Sequence, residues 1–223
     1  MEQHLLSSLS ADERAQVLAA ATARQFARGD VVFHEGEPGE SLHLVRSGRL
    51  AVHVSTPAGD SATLSVQSPG DAFGELALLG GRHLRTATVV ALEASETLAL
   101  SRAAFDSLRH THPAIERVLE EALARRVEVL SQALLEALYV PVDQRVVRRL
   151  VDLAATYGGE VVASSPVVIP ITQDDLAGMA GTTRPTTNQV LQRLADEGVL
   201  GLGRGRIELR DLPALRRKVS FPT

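Results

Sequence analysis

PAIERVLEEALARRVEVLSQALLEAL, residues Pro113 to Leu138, reads as one long helix joining two halves of the chain. Pro113 suits the first helical position, where proline's missing N–H costs little, and His112 can sit at the cap. Pro141 disfavours helical geometry at Val140 and marks the end. Inside, Leu123, Val127, Leu130, Leu134 and Ala137 are spaced four, three, four, three. That 3.5-residue apolar repeat is the seam of a two-stranded coiled coil and predicts a parallel homodimer. The alternative is a helix packing its apolar side on its own domain. Arg125, Arg126, Glu128, Gln132 and Glu136 narrow the seam, which suits a partner helix better than a broad core stripe.

Outward from this helix the chain has 223 residues, enough for one large or two modest domains. Hydrophobic residues make up 44% and mean hydropathy is near zero, which fits a soluble globular protein. No apolar run reaches membrane-spanning length and no charged-then-apolar leader opens the sequence, so the expected location is the cytoplasm. The absence of cysteine excludes disulfides, thiolate zinc sites and cysteine-ligated iron–sulfur clusters. Residues 1–138 hold twelve Arg against eighteen Asp and Glu, while residues 139–223 hold eleven Lys and Arg against nine. A basic C-terminal half gives mild support for a nucleic-acid face.

Before the long helix, Ser10 to Glu13 fits a capping box for a helix running to about Ala23. From Asp30 the period becomes two: Leu42 and Leu44, then Leu50, Val52 and Val54, alternate with polar neighbours. Turn signals recur at 36–39, 47–48, 57–60, 69–71 and 80–81, as in a small antiparallel barrel or roll. Thr86–Leu92 and Thr97–Ser101 read as its last strands, and Ala103–Arg109 as a short helix. After Pro141 the pattern is helical again, with Val146, Leu150, Leu153 and Tyr157 on one side. Val167–Ile169 reads as a strand, Thr172–Ala180 as a short helix, Gly181 as a turn and Arg184–Glu197 as a second helix. Leu200–Leu209, with Gly203-Arg204-Gly205 in its middle, reads as a hairpin, completing a winged helix-turn-helix. The fold class is therefore α+β. The expected domains are a sensor at 1–112, a dimerisation helix and hinge at 113–140, and a DNA-binding domain at 141–223.

Two segments carry chemistry. In FGELALLGGRHLRTATV, Phe73–Val89, Gly74 lets a ligand approach the backbone. Glu75–Leu79 can form one helical turn with N–H groups free for an anion, and Leu76 would border the ligand. Arg85 and Thr86 supply charge-assisted and hydroxyl bonds to a phosphate. Glu75 fits beside a phosphate only if it accepts from a ribose hydroxyl, so the set describes a sugar phosphate. In the second segment, Thr183 caps a helix whose first-turn and outward residues are read as Arg184, Thr186, Thr187, Asn188, Gln189 and Arg193. Arginine reads guanine, glutamine can read adenine, and threonine meets phosphates or the thymine methyl. Arg204 and Arg206 on the wing suit phosphate contacts. Of the seven histidines only His83, near the pocket, is kept as a haem-ligand candidate; no pair has tight ligand spacing.

Nearly the full length resembles the family of the cAMP receptor protein and the fumarate–nitrate regulators, in roll, dimer helix and winged helix. The resemblance implies that Gly74 and Glu75 hold the ribose of a cyclic nucleotide, cAMP first. Arg85 and Thr86 would hold its phosphate, Ser65 would line the pocket, and Ser131 would meet the adenine across the dimer. It also implies double-stranded DNA and RNA polymerase as partners, with the loop at 159–167 as a candidate polymerase surface. Thr172 matches a phosphate-contacting threonine and Arg184 a guanine-reading arginine. Four departures stand out: Leu130 replaces a base-bonding threonine, Pro185 a base-reading glutamate, Gln189 a base-reading arginine, and Gln173 the arginine that follows the phosphate-contacting threonine. The reading is a dimeric transcription regulator under cyclic-nucleotide control. Its rivals are a regulator that is effector-independent or answers another ligand, and a cyclic-nucleotide-regulated enzyme subunit. No triad, metal cluster or catalytic carboxylate pair suggests an enzyme.

Overall fold

The structure is a computed structural model and describes residues 9–55, 61–79, 83–158 and 166–219. The turn signals at 57–60 and 80–81, and residues 159–165 of the loop offered as a polymerase surface, lie outside the described residues. Two compact units divide the chain, Met1–Thr56 with Ser65–Ser131, and Pro57–Leu64 with Gln132–Thr223, so the boundary falls inside the long helix.

In the first unit, helix α1 (Ala11–Ala20) opens with the expected capping box: Ser10 Oγ accepts from Glu13 N–H, and the Glu13 carboxylate accepts from Ser10 N–H at 2.9 Å. The helix stops three residues short of the expected end. Strand β1 (Thr22–Phe26) follows at once and pairs with β8 (Ser95–Ser101), from Thr22↔Ala99 to Phe26↔Ser95. The remaining strands are β2 (Val31–Phe33), β3 (Ser41–Ser47), β4 (Leu50–Ser55), β5 (Ser61–Gln67), β6 (Ala72–Phe73) and β7 (Thr88–Ala91). They form two four-stranded sheets, ordered β1-β8-β3-β6 and β2-β7-β4-β5. Alternation along β3 serves two cores. Val45 joins Phe33, Leu50, Val52, Phe73 and Val89 in one cluster. Leu42 and Leu44 join Val17, Phe105, Leu108, Ile115 and Leu119 in the other.

Helix α2 (Leu76–Leu79) is a single turn, and α3 (Arg102–Thr111) starts on a Ser101 cap. His112 caps the C-terminus of α3, its N–H bonding Leu108 O at 2.8 Å, and α4 (Pro113–Tyr139) begins directly after it. The first turns of α4 bury Ile115 and Leu119 on the chain's own core. Beyond them the apolar residues stand open: Val127 is 63% exposed, Leu134 60% and Leu138 64%.

In the second unit, α5 (Val142–Gly158) buries Val146, Leu150 and Leu153. Strand β9 (Val167–Ile169), α6 (Gln173–Ala180), α7 (Arg184–Asp196), β10 (Leu200–Gly203), β11 (Arg206–Leu209) and α8 (Leu212–Arg217) follow. The strands form an antiparallel sheet ordered β10-β11-β9. Helix α8, absent from the sequence reading, is capped by Asp211 and anchored by fully buried Leu215. The last turns of α4 are tied to α5 by charge. Glu136, 8% exposed, pairs with Arg148 at 3.2 Å and with Arg149, which also reaches Asp152 at 2.8 Å. Removing the shared carboxylate leaves Arg148 buried without it. Glu136→Ala is therefore expected to cost about 3–5 kcal/mol in urea denaturation of the full chain; a loss below about 1 kcal/mol, the range of a surface pair, would contradict this.

Candidate functional site

A small pocket, open to solvent, lies in the first unit. Phe33, Val52, Phe73 and Val89 from the strands, with Ala87 just before β7, form its apolar wall. Gly74, Glu75, Leu76, Ala77, Arg85, Thr86 and Arg126 complete it. Gly74 turns there with φ +86°, and a β-carbon on it would lie 2.5 Å from Arg85 Nη1, so only glycine fits. The short helix α2 spends part of its anion-binding capacity internally, since Leu78 and Leu79 N–H both bond Glu75 O.

Arg85 is the fixed point of the pocket. It is 5% exposed. Nη1 donates to Ser41 O at 2.7 Å and Gly74 O at 3.1 Å, and Nη2 donates to Ser41 Oγ at 2.9 Å. The guanidinium lies over the Phe33 ring, 3.9 Å from its centroid. Nε–H, also buried, has no partner among the described residues. A buried cation with a donor to spare is suited to an anion. Desolvation lowers its pKa, while Glu37 and Glu75 oppose the shift.

Glu75, 9% exposed, has its pKa raised by burial; its own backbone N–H, Arg126 and Arg85 pull the other way. From spacing alone Arg126 is only a flank of the seam. It reaches the pocket because it follows Leu119 by seven residues, two turns along the same face of α4.

Gly74, Glu75, Leu76, Arg85 and Thr86 thus come together as the sequence suggested. Ser65 does not join them; its Oγ accepts from Gln67 Nε2 at 2.8 Å. Leu130, 46% exposed, and Ser131, also exposed, stand outside the pocket of their own chain. His83 is exposed and directs Nδ1 at Ala77 O, 3.4 Å away. Among the described residues no group of three metal-ligating side chains gathers.

In the second unit, Thr172 caps α6 through a capping box with Asp175, its N–H donating to the Asp175 carboxylate at 2.9 Å. Gly181 takes the left-handed conformation, φ +60°, that turns the chain into α7. Thr183 caps α7, accepting from Thr186 N–H at 3.4 Å. Arg184, Gln189 and Arg193 are exposed, and Thr186 is half-buried. Thr187 is a correction. It is fully buried, on the inner face with Val190, Leu191 and Leu194, because helical phase turns position 187 toward the core. It cannot meet a phosphate or a base from there. Arg184 lies 3.5 Å from Asp174 and Arg193 3.5 Å from Asp143, exposed pairs that a stronger anion can displace. Arg204 and Arg206 are exposed at the β10–β11 turn.

Residues 23–112 match the model of the cyclic nucleotide-binding domain, and residues 144–218 that of the Crp-like helix-turn-helix domain. Over 217 residues the chain is 32% identical to the cyclic AMP receptor protein of Thermus thermophilus, spanning 97% of this chain and 96% of that one. The chain belongs to the family of the cAMP receptor protein and the fumarate–nitrate regulators. A second family member, the CRP-like cAMP-activated global transcriptional regulator of Mycobacterium tuberculosis, is 30% identical over 86% of both chains. The solved c-di-GMP-responsive regulator CLP of Xanthomonas campestris has the same fold, with TM-score 0.78 over 90% of this chain and 99% of that one, at 21% identity. The chain is accordingly a transcription regulator of this family, not an enzyme.

The raised pKa of Glu75 has a consequence for stability. Above its folded pKa, the ionised carboxylate is held in a site that disfavours it; below about 4.5, its ordinary value, folded and unfolded forms are both protonated. Glu75→Gln should therefore raise Tm at pH 7, with the gain fading as pH falls toward 4.5. A lower Tm for Glu75→Gln at pH 7 would contradict the assignment.

Proposed function

We propose that this chain works as a homodimeric, sequence-specific DNA-binding regulator whose affinity for DNA is set by a cyclic nucleotide, cAMP first, bound in the roll. The observation that carries the reading is the buried Arg85, with Nε–H unpartnered among the described residues, sharing one pocket with buried Glu75. Arg85 and Thr86 take the cyclic phosphate. Glu75 accepts from the ribose hydroxyl, and Arg126 steadies its charge from α4. Leu130 meets the base without a polar contact, so adenine and guanine are poorly told apart. Ser131 reaches the base from the second copy.

The exposed seam of α4 supports the dimer. Val127, Leu130 and Leu134 keep heptad spacing and are 63%, 46% and 60% exposed, an apolar ridge that a second copy of the helix would cover. Ligand shifts the helix pair and the hinge at 138–143 toward the form in which two recognition helices sit about 34 Å apart, one DNA turn. It does so only to the extent that it binds that form better. Arg184 and Gln189 then read bases, Arg193 and Thr186 support them, and Thr172, Thr183, Arg204 and Arg206 hold phosphates. RNA polymerase as a partner and a cytoplasmic location go with this reading. No described helix is long and apolar enough to cross a membrane.

Selection from a pool of randomised DNA duplexes tests the proposal. The wild-type chain with cAMP should enrich a two-half-site operator, and without cAMP the enrichment should fall at least tenfold. Arg85→Ala should lose the cAMP response and remain a dimer by light scattering. Equal enrichment with and without cAMP, or a cAMP response surviving in Arg85→Ala, would overturn it.

A further inference from the structure

The roll buries one histidine directly behind Arg85, and the ligand-binding reading leaves it without a task. His43, on β3, is 6% exposed. Its ring stacks on Phe73 with centroids 5.1 Å apart, and Phe33, under the Arg85 guanidinium, lies 5.9 Å away. Both ring nitrogens are engaged: Nδ1 is 3.0 Å from Thr97 Oγ1 and Nε2 is 3.0 Å from Ser41 Oγ. Thr97 is fully buried. Ser41 Oγ is the atom that accepts from Arg85 Nη2.

A guanidinium only donates, so Ser41 Oγ accepts from Arg85. The Ser41 hydroxyl keeps one lone pair and one proton, so it can give that proton to His43 Nε2 or accept from it; only the first gives the proton an acceptor among the described residues. In that arrangement Nε2 accepts and Nδ1 carries the ring proton, donating to Thr97 Oγ1. All three bonds run away from the Arg85 charge, so each polarises the next in the same sense. Phenylalanine at 43 would keep the stack on Phe73 but leave the Ser41 and Thr97 hydroxyls without this partner.

We infer that His43 is a positioning residue for Arg85: as neutral imidazole carrying its proton on Nδ1, it fixes the Ser41 hydroxyl, which holds the guanidinium in the orientation a ligand phosphate meets. The inference rests on the cyclic-nucleotide reading for its effect on binding, but the orientation of Arg85 can be read without ligand. Burial, with the charges of Arg85 and then Arg24, holds the imidazole pKa down at about 4, so the neutral form persists at physiological pH.

The test uses the full chain. Long-range proton–nitrogen NMR of the wild type should show His43 protonated at Nδ1 and bare at Nε2, and hindered rotation should give Arg85 separate Nη signals. His43→Phe should merge those signals and weaken cAMP binding about tenfold by calorimetry, the equivalent of one well-placed hydrogen bond. His43→Gln, which restores an acceptor without the ring, should bind within about threefold of wild type, a difference smaller than one hydrogen bond. A wild-type proton on Nε2, Arg85 signals unchanged in His43→Phe, or His43→Gln binding no better than His43→Phe would each overturn the inference. A wild type that binds no cAMP refutes the nucleotide reading instead, and the wild-type tautomer with the Arg85 signals still decides the role of His43.

Discussion

A cation at 5% exposure sets the terms for the sensor half. Burying the Arg85 guanidinium is costly unless its hydrogens are matched, and three of them are matched by Ser41 and Gly74. That requirement propagates. Gly74 must lack a side chain, because Nη1 occupies the space a β-carbon would need. Gly39 must be bare as well, since a β-carbon there would collide with Ala77 of α2 and crowd the Arg85 stem. Arg102, from α3, secures the other side of the same turn by donating to Gly39 O, Ala77 O and Leu78 O. The pocket is thus built around a fixed positive charge, with Gly74 a consequence of it and Gly39 a consequence of the close approach of α2.

The long helix meets different demands along its length. Ile115 and Leu119 anchor its start in the roll core, and Arg126 turns the next face into the pocket. From Val127 on, the apolar positions stand open, and near the end Glu136 is locked to α5 by two arginines. In the proposed mechanism this helix, fixed to the pocket at one end and to α5 at the other, carries the population shift. The exposed ridge between them is where a second copy would add its own constraint.

Most of the architecture was legible because it follows period and punctuation. Alternation gave β3 and β4, the caps at Ser10, Thr172 and Thr183 gave helix starts, and Gly181 gave the turn before α7. Strand β1 was not legible: Thr-Ala-Arg-Gln-Phe has no apolar alternation, follows three alanines, and is held extended by its pairing with β8. Helix α8 is short and carries a proline in its first turn, so its sequence offers little beyond the Asp211 cap. Within the sites, residue type misled where phase would have corrected it. Thr187 shares the spacing of Val190, Leu191 and Leu194, and Arg126 repeats the position of Leu119 two turns on. His43 sits between two leucines in β3 and gives no sign in the sequence of the hydroxyls that meet it across the fold.

If the buried guanidinium awaits a cyclic phosphate, calorimetric titration of the purified full chain with cAMP and with cGMP will show it directly. Micromolar-range binding at one site per chain is expected, with the two nucleotides close in affinity because Leu130 offers the base no hydrogen bond. Absence of heat from both, together with an unchanged Tm at millimolar nucleotide, would contradict it.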